Sequence, residues 1–266
     1  MKLSRLQVFP VKSLAGHQPP AWDLGPRGLV HDRHWMVVRP DGRFLTQRQL
    51  ASMGRVGTHL AGDRLTLSRD GQLEIEVPET ATRRVSVTVW RDQVEAEDLG
   101  DECADWLERA IGEPCRLVRF PTDERRPVDP AFALETDHTG FADAFPLLLV
   151  SEASLLDLNA RMPDEDWSLD ELILRFRPNL VVSGTEPYAE DDWNTIRIGE
   201  LHFRVVKPCS RCAITTLDPH TGAKGKEPLK TLASYRRWDG EVFMGQNLLH
   251  DGPGTLKVGM DVEIID

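Results

Sequence analysis

Apolar and polar residues alternate in short runs through residues 1–120. Leu3 to Phe9 alternates and stops at Pro10, and His34 to Arg39 is an apolar run closed by Pro40-Asp41-Gly42. Residues 64–68 and 72–77 alternate on either side of Asp70-Gly71. That dipeptide is the favoured chemistry of a two-residue turn, so the stretch predicts a hairpin. Val85, Val87 and Val89 predict a further strand, since residues two apart share a sheet face. The period changes once: Cys103, Trp106, Leu107, Ala110 and Ile111 share a face at helical spacing, and Gly112 ends the helix.

Residues 121–130 are charged, punctuated by proline and nearly free of apolar side chains. They predict a linker or surface loop, with Arg126 in solvent. Beyond it, Leu147 to Val150 predicts a buried strand and Ser151 the start of a helix. Ser168-Leu169-Asp170-Glu171 has the spacing of a capping box for a second helix. Residues 179–184, 201–206 and 255–265 read as strands and 227–236 as a helix. Many short strands, few helices and no regular βαβ rhythm predict a β-rich α+β protein built of barrels rather than a doubly wound sheet. The linker divides it into domains at 1–120 and 131–266.

Composition narrows the class. With 40% hydrophobic and 28% charged residues in 266, the chain can bury a real core. Its net charge of −11 argues against nonspecific binding to nucleic acid or an anionic membrane. The longest apolar run, Phe145 to Val150, is far too short to span a bilayer, and no leader or anchor is expected at the N-terminus. Four cysteines are too few for a disulfide scaffold, so the expected compartment is a reducing cytoplasm.

Nucleotide, Walker, nucleophile-elbow and zincin motifs are absent. Asp218-Pro219-His220-Thr221-Gly222 lacks the acidic positions of a calcium loop and reads as a turn; His31 and His34 read as structural. Cys209-Ser210-Arg211-Cys212 is more informative. A CxxC pair can be half a zinc site, a redox dithiol or a chance adjacency. Lys207 and Arg211 bracket it with positive charge, which favours a thiolate, as fit to ligate a soft metal as to attack an electrophile. Lys12, Arg33 and Arg177 are isolated bases beside turn-forming residues. In an acidic chain they suggest one anionic ligand held by charge-assisted bonds.

FPVKSL, HDRHWMVV, LTQRQ, SEASLLDLNARM, FRPNLVVSG, YAEDDW, CSRCAITTLDPHTG, KEPLKTLASYR and GQN with GTLKVGM follow one another along the whole chain. In that order they resemble the MOSC-domain proteins preceded by their β-rich N-terminal partner domain, the group that includes the mitochondrial amidoxime-reducing component and its bacterial relatives. The resemblance implies two β-rich domains holding a molybdenum cofactor, a pyranopterin dithiolene, between them. It makes Cys212 the molybdenum ligand and Ser210 and Arg211 cofactor-contacting neighbours. Lys12 and Ser13 then meet the phosphate and pterin, with Arg33, Arg177 and Asn179 around them and Asp143 beside the pterin. Cys209 becomes a small, buried neighbour. Where the animal enzymes follow the acidic position with Thr-Ser, this chain has Ala144-Phe145, so two hydroxyl contacts lack counterparts. The implied activity is reduction of small N-hydroxylated compounds to amines or amidines, with electrons from a separate ferredoxin-, flavoprotein- or cytochrome-type donor. Two other readings stand beside it: a sulfur or cofactor carrier using a cysteine persulfide, and a zinc- or dithiol-stabilised β protein.

Overall fold

Strand Arg83–Val89 owes its pairing to the valine alternation, which turns Val87 and Val89 into the core. It runs antiparallel to Asp92–Asp98 across the turn Trp90-Arg91, in register from Arg83↔Asp98 to Val89↔Asp92. Arg116–Arg119 and Trp35–Val38 complete an antiparallel four-stranded sheet. The computed structural model describes residues 1–163 and 165–265. Helix α1, Asp101–Ile111, buries Cys103, Trp106, Leu107, Ala110 and Ile111, as the helical spacing requires. Gly112 ends it in the left-handed conformation at φ 89°, where a side chain would be strained.

The expected hairpin needs correcting. The two-residue turn lies earlier, at Gly62-Asp63, where Ala61 pairs with Arg64. Asp70-Gly71 does turn the chain, but pairing resumes only at Leu67↔Ile75, and Leu73 projects into solvent. Packing decides this register. A tight turn at 70–71 would set Glu74 opposite Leu67 and Glu76 opposite Leu65; the observed offset sets Ile75 opposite Leu67, and Ile75 and Val77 are buried with Leu65 and Leu67.

The larger sheet runs in the order Lys2–Leu6, Leu180–Ser183, Leu147–Ser151, Glu241–His250, Leu201–Ser210, Thr195–Ile198, Val262–Ile264. Its ends nearly meet: Lys2 bridges Asp261, and Val262 N donates to Met1 O at 3.0 Å. The first strand of the chain therefore closes a barrel built from the second half. In return, Gly254–Lys257 pairs with Ala21–Gly25 in the first half. One β-to-β crossover is present without making a regular βαβ rhythm. Leu147–Ser151 and Leu180–Ser183 are parallel, and α2 (Glu152–Arg161) and α3 (Leu169–Phe176) connect them. Ser151 and Ser168 cap these helices, their hydroxyls accepting from Ser154 N and Glu171 N. Leu155, Leu158, Leu172, Ile173 and Phe176 form their shared core with Val150, Val181 and Met244.

Other predicted bounds also shift. Residues 227–236 yield only the short helix α4, Leu229–Leu232. The predicted strand 255–265 splits into Gly254–Lys257 and Val262–Ile264, which join different sheets. Among the described residues no helix is long and apolar enough to cross a membrane.

Candidate functional site

Four loops in the left-handed backbone region converge between the two halves. Seven non-glycine residues have positive φ among the described residues, and four of them, Ser13 (67°), Arg33 (46°), Trp90 (56°) and Arg177 (54°), line one cleft. Such conformations cost roughly 1–3 kcal/mol each and persist only where surrounding bonds fix them. Those bonds are present. Arg33 N donates to Phe9 O at 2.8 Å, and Arg177 N, at the end of α3, donates to Ile173 O at 2.8 Å. Lys12 N, just before Ser13, donates to Trp35 O at 2.8 Å.

The cleft encloses about 480 Å³, within the range of small-molecule and cofactor sites. It gathers every predicted site residue: Lys12, Ser13, Arg33, Asp143, Arg177, Asn179, Ser210, Arg211 and Cys212. Among the lining residues missed by the sequence reading are Arg48, Trp90, Arg175 and Asn247. Arg48 and Asn247 fall inside the motif runs LTQRQ and GQN, which could have flagged them. Nothing in the sequence marks Trp90 or Arg175.

Seven cations, Lys12, Arg33, Arg48, Arg175, Arg177, Lys207 and Arg211, line the cleft against one carboxylate, Asp143. Arg33 and Arg177 stack on Phe9, their guanidinium carbons 4.4 and 4.1 Å from the ring centroid. Burial, with Arg33 nearby, pushes Arg177 down to about 9. Burial also lowers Lys12, whose ammonium donates to Asp143 Oδ1 and, at 2.7 Å, to Phe141 O. Enclosure alone would raise the Asp143 carboxyl; Lys12, with Arg48 and the Trp90 indole, outweighs this and holds it below the usual carboxylate range. Asn179, 2% exposed, is held through both ends of its amide: Oδ1 accepts from Arg33 Nη1 at 3.0 Å and from Leu148 N at 3.2 Å, and Nδ2 donates to Gln7 O at 3.2 Å. It orients Arg33.

The two thiols have different surroundings. Cys212 is exposed, and its sulfur accepts from Arg48 Nη1 at 3.3 Å. Cys209 is half-buried rather than buried, lines the same cleft, and accepts from Arg211 Nη1 at 3.1 Å. Arg211 also donates to Phe176 O, while its Nε is buried without a protein partner. Cys103 and Cys115 lie in the core, where burial pushes their thiols up to about 11 and about 12. Among the described residues no three His, Cys, Asp or Glu side chains gather to hold a metal ion.

One expectation fails within residues 121–145. Arg126 is not in solvent but 5% exposed, ion-paired to Asp92 and bonded to backbone carbonyls behind the cleft. Charge density misled here, because a buried guanidinium reads in sequence like a solvated one. Ala144 and Phe145 do line the cleft, and they present a methyl group and a ring.

Residues 1–114 match the MOSC N-terminal beta barrel domain and residues 136–263 the MOSC domain. Over 99% of its length the chain is 35% identical to human mitochondrial amidoxime-reducing component 1, covering 82% of that protein. The chain belongs to the MOSC family. Its cleft lies between the halves that these two MOSC matches define. Other relatives include molybdenum cofactor sulfurases from rice (Oryza sativa subsp. japonica), 34% identical over 91% of this chain, and from Danio rerio, 35% identical over 93%. This MOSC chain spans only 32% of either sulfurase.

Proposed function

We propose that the cleft binds a molybdenum cofactor and that the protein reduces small N-hydroxylated compounds, such as amidoximes and hydroxylamines, to amidines and amines. The carrying observation is the excess of positive charge in the cleft of a protein whose net charge is −11. Lys12, Arg33 and Arg175 are answered by Asp143, Asp32 and Glu171. Among the described residues, Arg177, lowered by burial and by Arg33, and Arg211, whose Nε is unpartnered, make no ion pair and leave positive charge in the cleft. A dianionic phosphate and an anionic dithiolene suit such a cradle. Lys12, Ser13, Arg33 and Arg177 would hold the phosphate and pterin, with Ser210 and Arg211 alongside. Asn179 keeps Arg33 aimed, and Asp143 keeps Lys12 aimed. Cys212 would be the soft donor for the metal. When bound, the group would supply two-electron reduction between molybdenum IV and VI, and with two protons taken from solvent the substrate oxygen would leave as water. The chain's own part is binding, orientation and charge. Its electrons come from a separate donor protein of ferredoxin, flavoprotein or cytochrome type.

The test is turnover of benzamidoxime with a reduced dye as donor, normalised to bound molybdenum. Steady formation of benzamidine supports the reading. The sulfurase relatives favour a second one, a carrier that binds the cofactor or a persulfide sulfur. Molybdenum-loaded protein that never forms benzamidine, yet accepts labelled persulfide sulfur on Cys209 or Cys212, would replace the reductase with the carrier.

A further inference from the structure

Arg126 engages four of its five N–H donors in a buried cage. Nε donates to Asp92 Oδ2 at 2.7 Å, Nη1 to Gly140 O at 3.0 Å and Ala142 O at 2.6 Å, and Nη2 to Asp143 O at 3.0 Å. The remaining carbonyl of that run, Phe141 O, accepts from Lys12 Nζ at 2.7 Å. Four consecutive carbonyls therefore face two cations. Those carbonyl dipoles offset the repulsion between Arg126 and Lys12. The contacts also close a loop. Asp92 lies two residues past Trp90, and Trp90 Nε1 donates to Asp143 Oδ1 at 3.1 Å. The turn of one domain and the segment bearing the one carboxylate of the cleft are locked together through Arg126.

We propose that Arg126 is a positioning residue of the cleft: it clamps the backbone of residues 140–143 so that Asp143 meets Lys12 and Trp90 in one geometry. It touches neither the cleft space nor Cys212. A planar fork with several donors is required, because a lysine ammonium is a point charge and cannot span Asp92 and three carbonyls in the same directions. Only the ligand-retention arm of the test rests on the proposed cofactor; the clamp itself does not.

Hydrogen exchange read by mass spectrometry on the ligand-free protein gives the first arm. Arg126→Lys, which keeps the charge and should fold, is expected to speed exchange in residues 138–146 about tenfold while the rest of the chain keeps its rates. Asp92→Asn, which spares the three carbonyl bonds, should give a smaller increase in the same segment. Arg119→Ala is the control for general destabilisation: Arg119 pairs with Glu97 at 2.6 Å on the same four-stranded sheet and lines no cavity wall of the cleft. It should leave residues 138–146 no more affected than the remainder. The second arm measures molybdenum loss from loaded protein on dialysis, expected about tenfold faster for Arg126→Lys. Wild-type exchange in 138–146 for Arg126→Lys, or acceleration spread evenly as in Arg119→Ala, overturns the clamp. Wild-type protein that takes up no molybdenum overturns the proposed function instead, and the exchange arm still decides the role of Arg126.

Discussion

The two thiols of the cleft differ in what touches them, and this makes them separable by substitution. Serine at 212 replaces a soft donor by a poorly ionised hydroxyl, so reduction of N-hydroxy substrates should fall to background with the cofactor phosphate contacts intact. Cys209→Ser keeps an acceptor for Arg211 and should cost about 0.5 kcal/mol, roughly a twofold change. Benzamidoxime turnover per bound molybdenum checks both, and equal losses would favour a dithiol acting as a unit. Arg177→Ala should remove charge-assisted bonds worth about 1.5–3 kcal/mol each, weakening cofactor retention roughly 10- to 100-fold in equilibrium dialysis. Much of this was legible in the sequence. Isolated bases at turn residues mark Lys12, Arg33 and Arg177, and CxxC marks the thiols. Arg126 and Trp90 were illegible for one reason: each acts through partners distant in sequence, Arg126 with Gly140, Ala142 and Asp143, and Trp90 with Asp143.

Among the elements, the antiparallel pairing of Glu241–His250 with Leu147–Ser151 tolerates no side chain at Gly245. Gly245 has φ 77°, and a Cβ there would lie 2.6 Å from Leu149 O in the neighbouring strand. Gly245→Ala should therefore destabilise by at least about 1–3 kcal/mol and shift Asn247 at the cleft edge, read as a lower thermal midpoint with reduced cofactor content. Period and capping foresaw α1, α2, α3 and the central strands, because each pattern coincides with a local signal such as Ser151, Ser168 or Gly112. Strand order was not foreseeable. Lys2–Leu6 beside Leu180–Ser183, and the one-residue offset at Leu67↔Ile75, are set by packing between distant segments.

At the scale of the molecule, a chain of net charge −11 carries a cleft rich in cations, and the folded chain bears the repulsion among them. Arg177 at about 9 lies below its ordinary value, so between about 9 and 12.5 the unfolded chain binds more protons than the folded one. Stability from this group must then rise with pH across that window, and its cost is fully present below it. Inorganic phosphate should relieve the same repulsion near pH 7. At 100 times its dissociation constant the stabilisation is about 2.7 kcal/mol, several degrees in a melting scan, and Arg177→Ala should respond less. A melting midpoint indifferent to phosphate would remove the anion cradle from the account. The central claim is the cofactor itself, and it is tested most directly by elemental analysis of protein purified from a host that makes molybdenum cofactor, with pterin fluorescence after oxidative release. About one molybdenum per chain, with pterin and without stoichiometric zinc, is the predicted result; one zinc per chain with no pterin would contradict it.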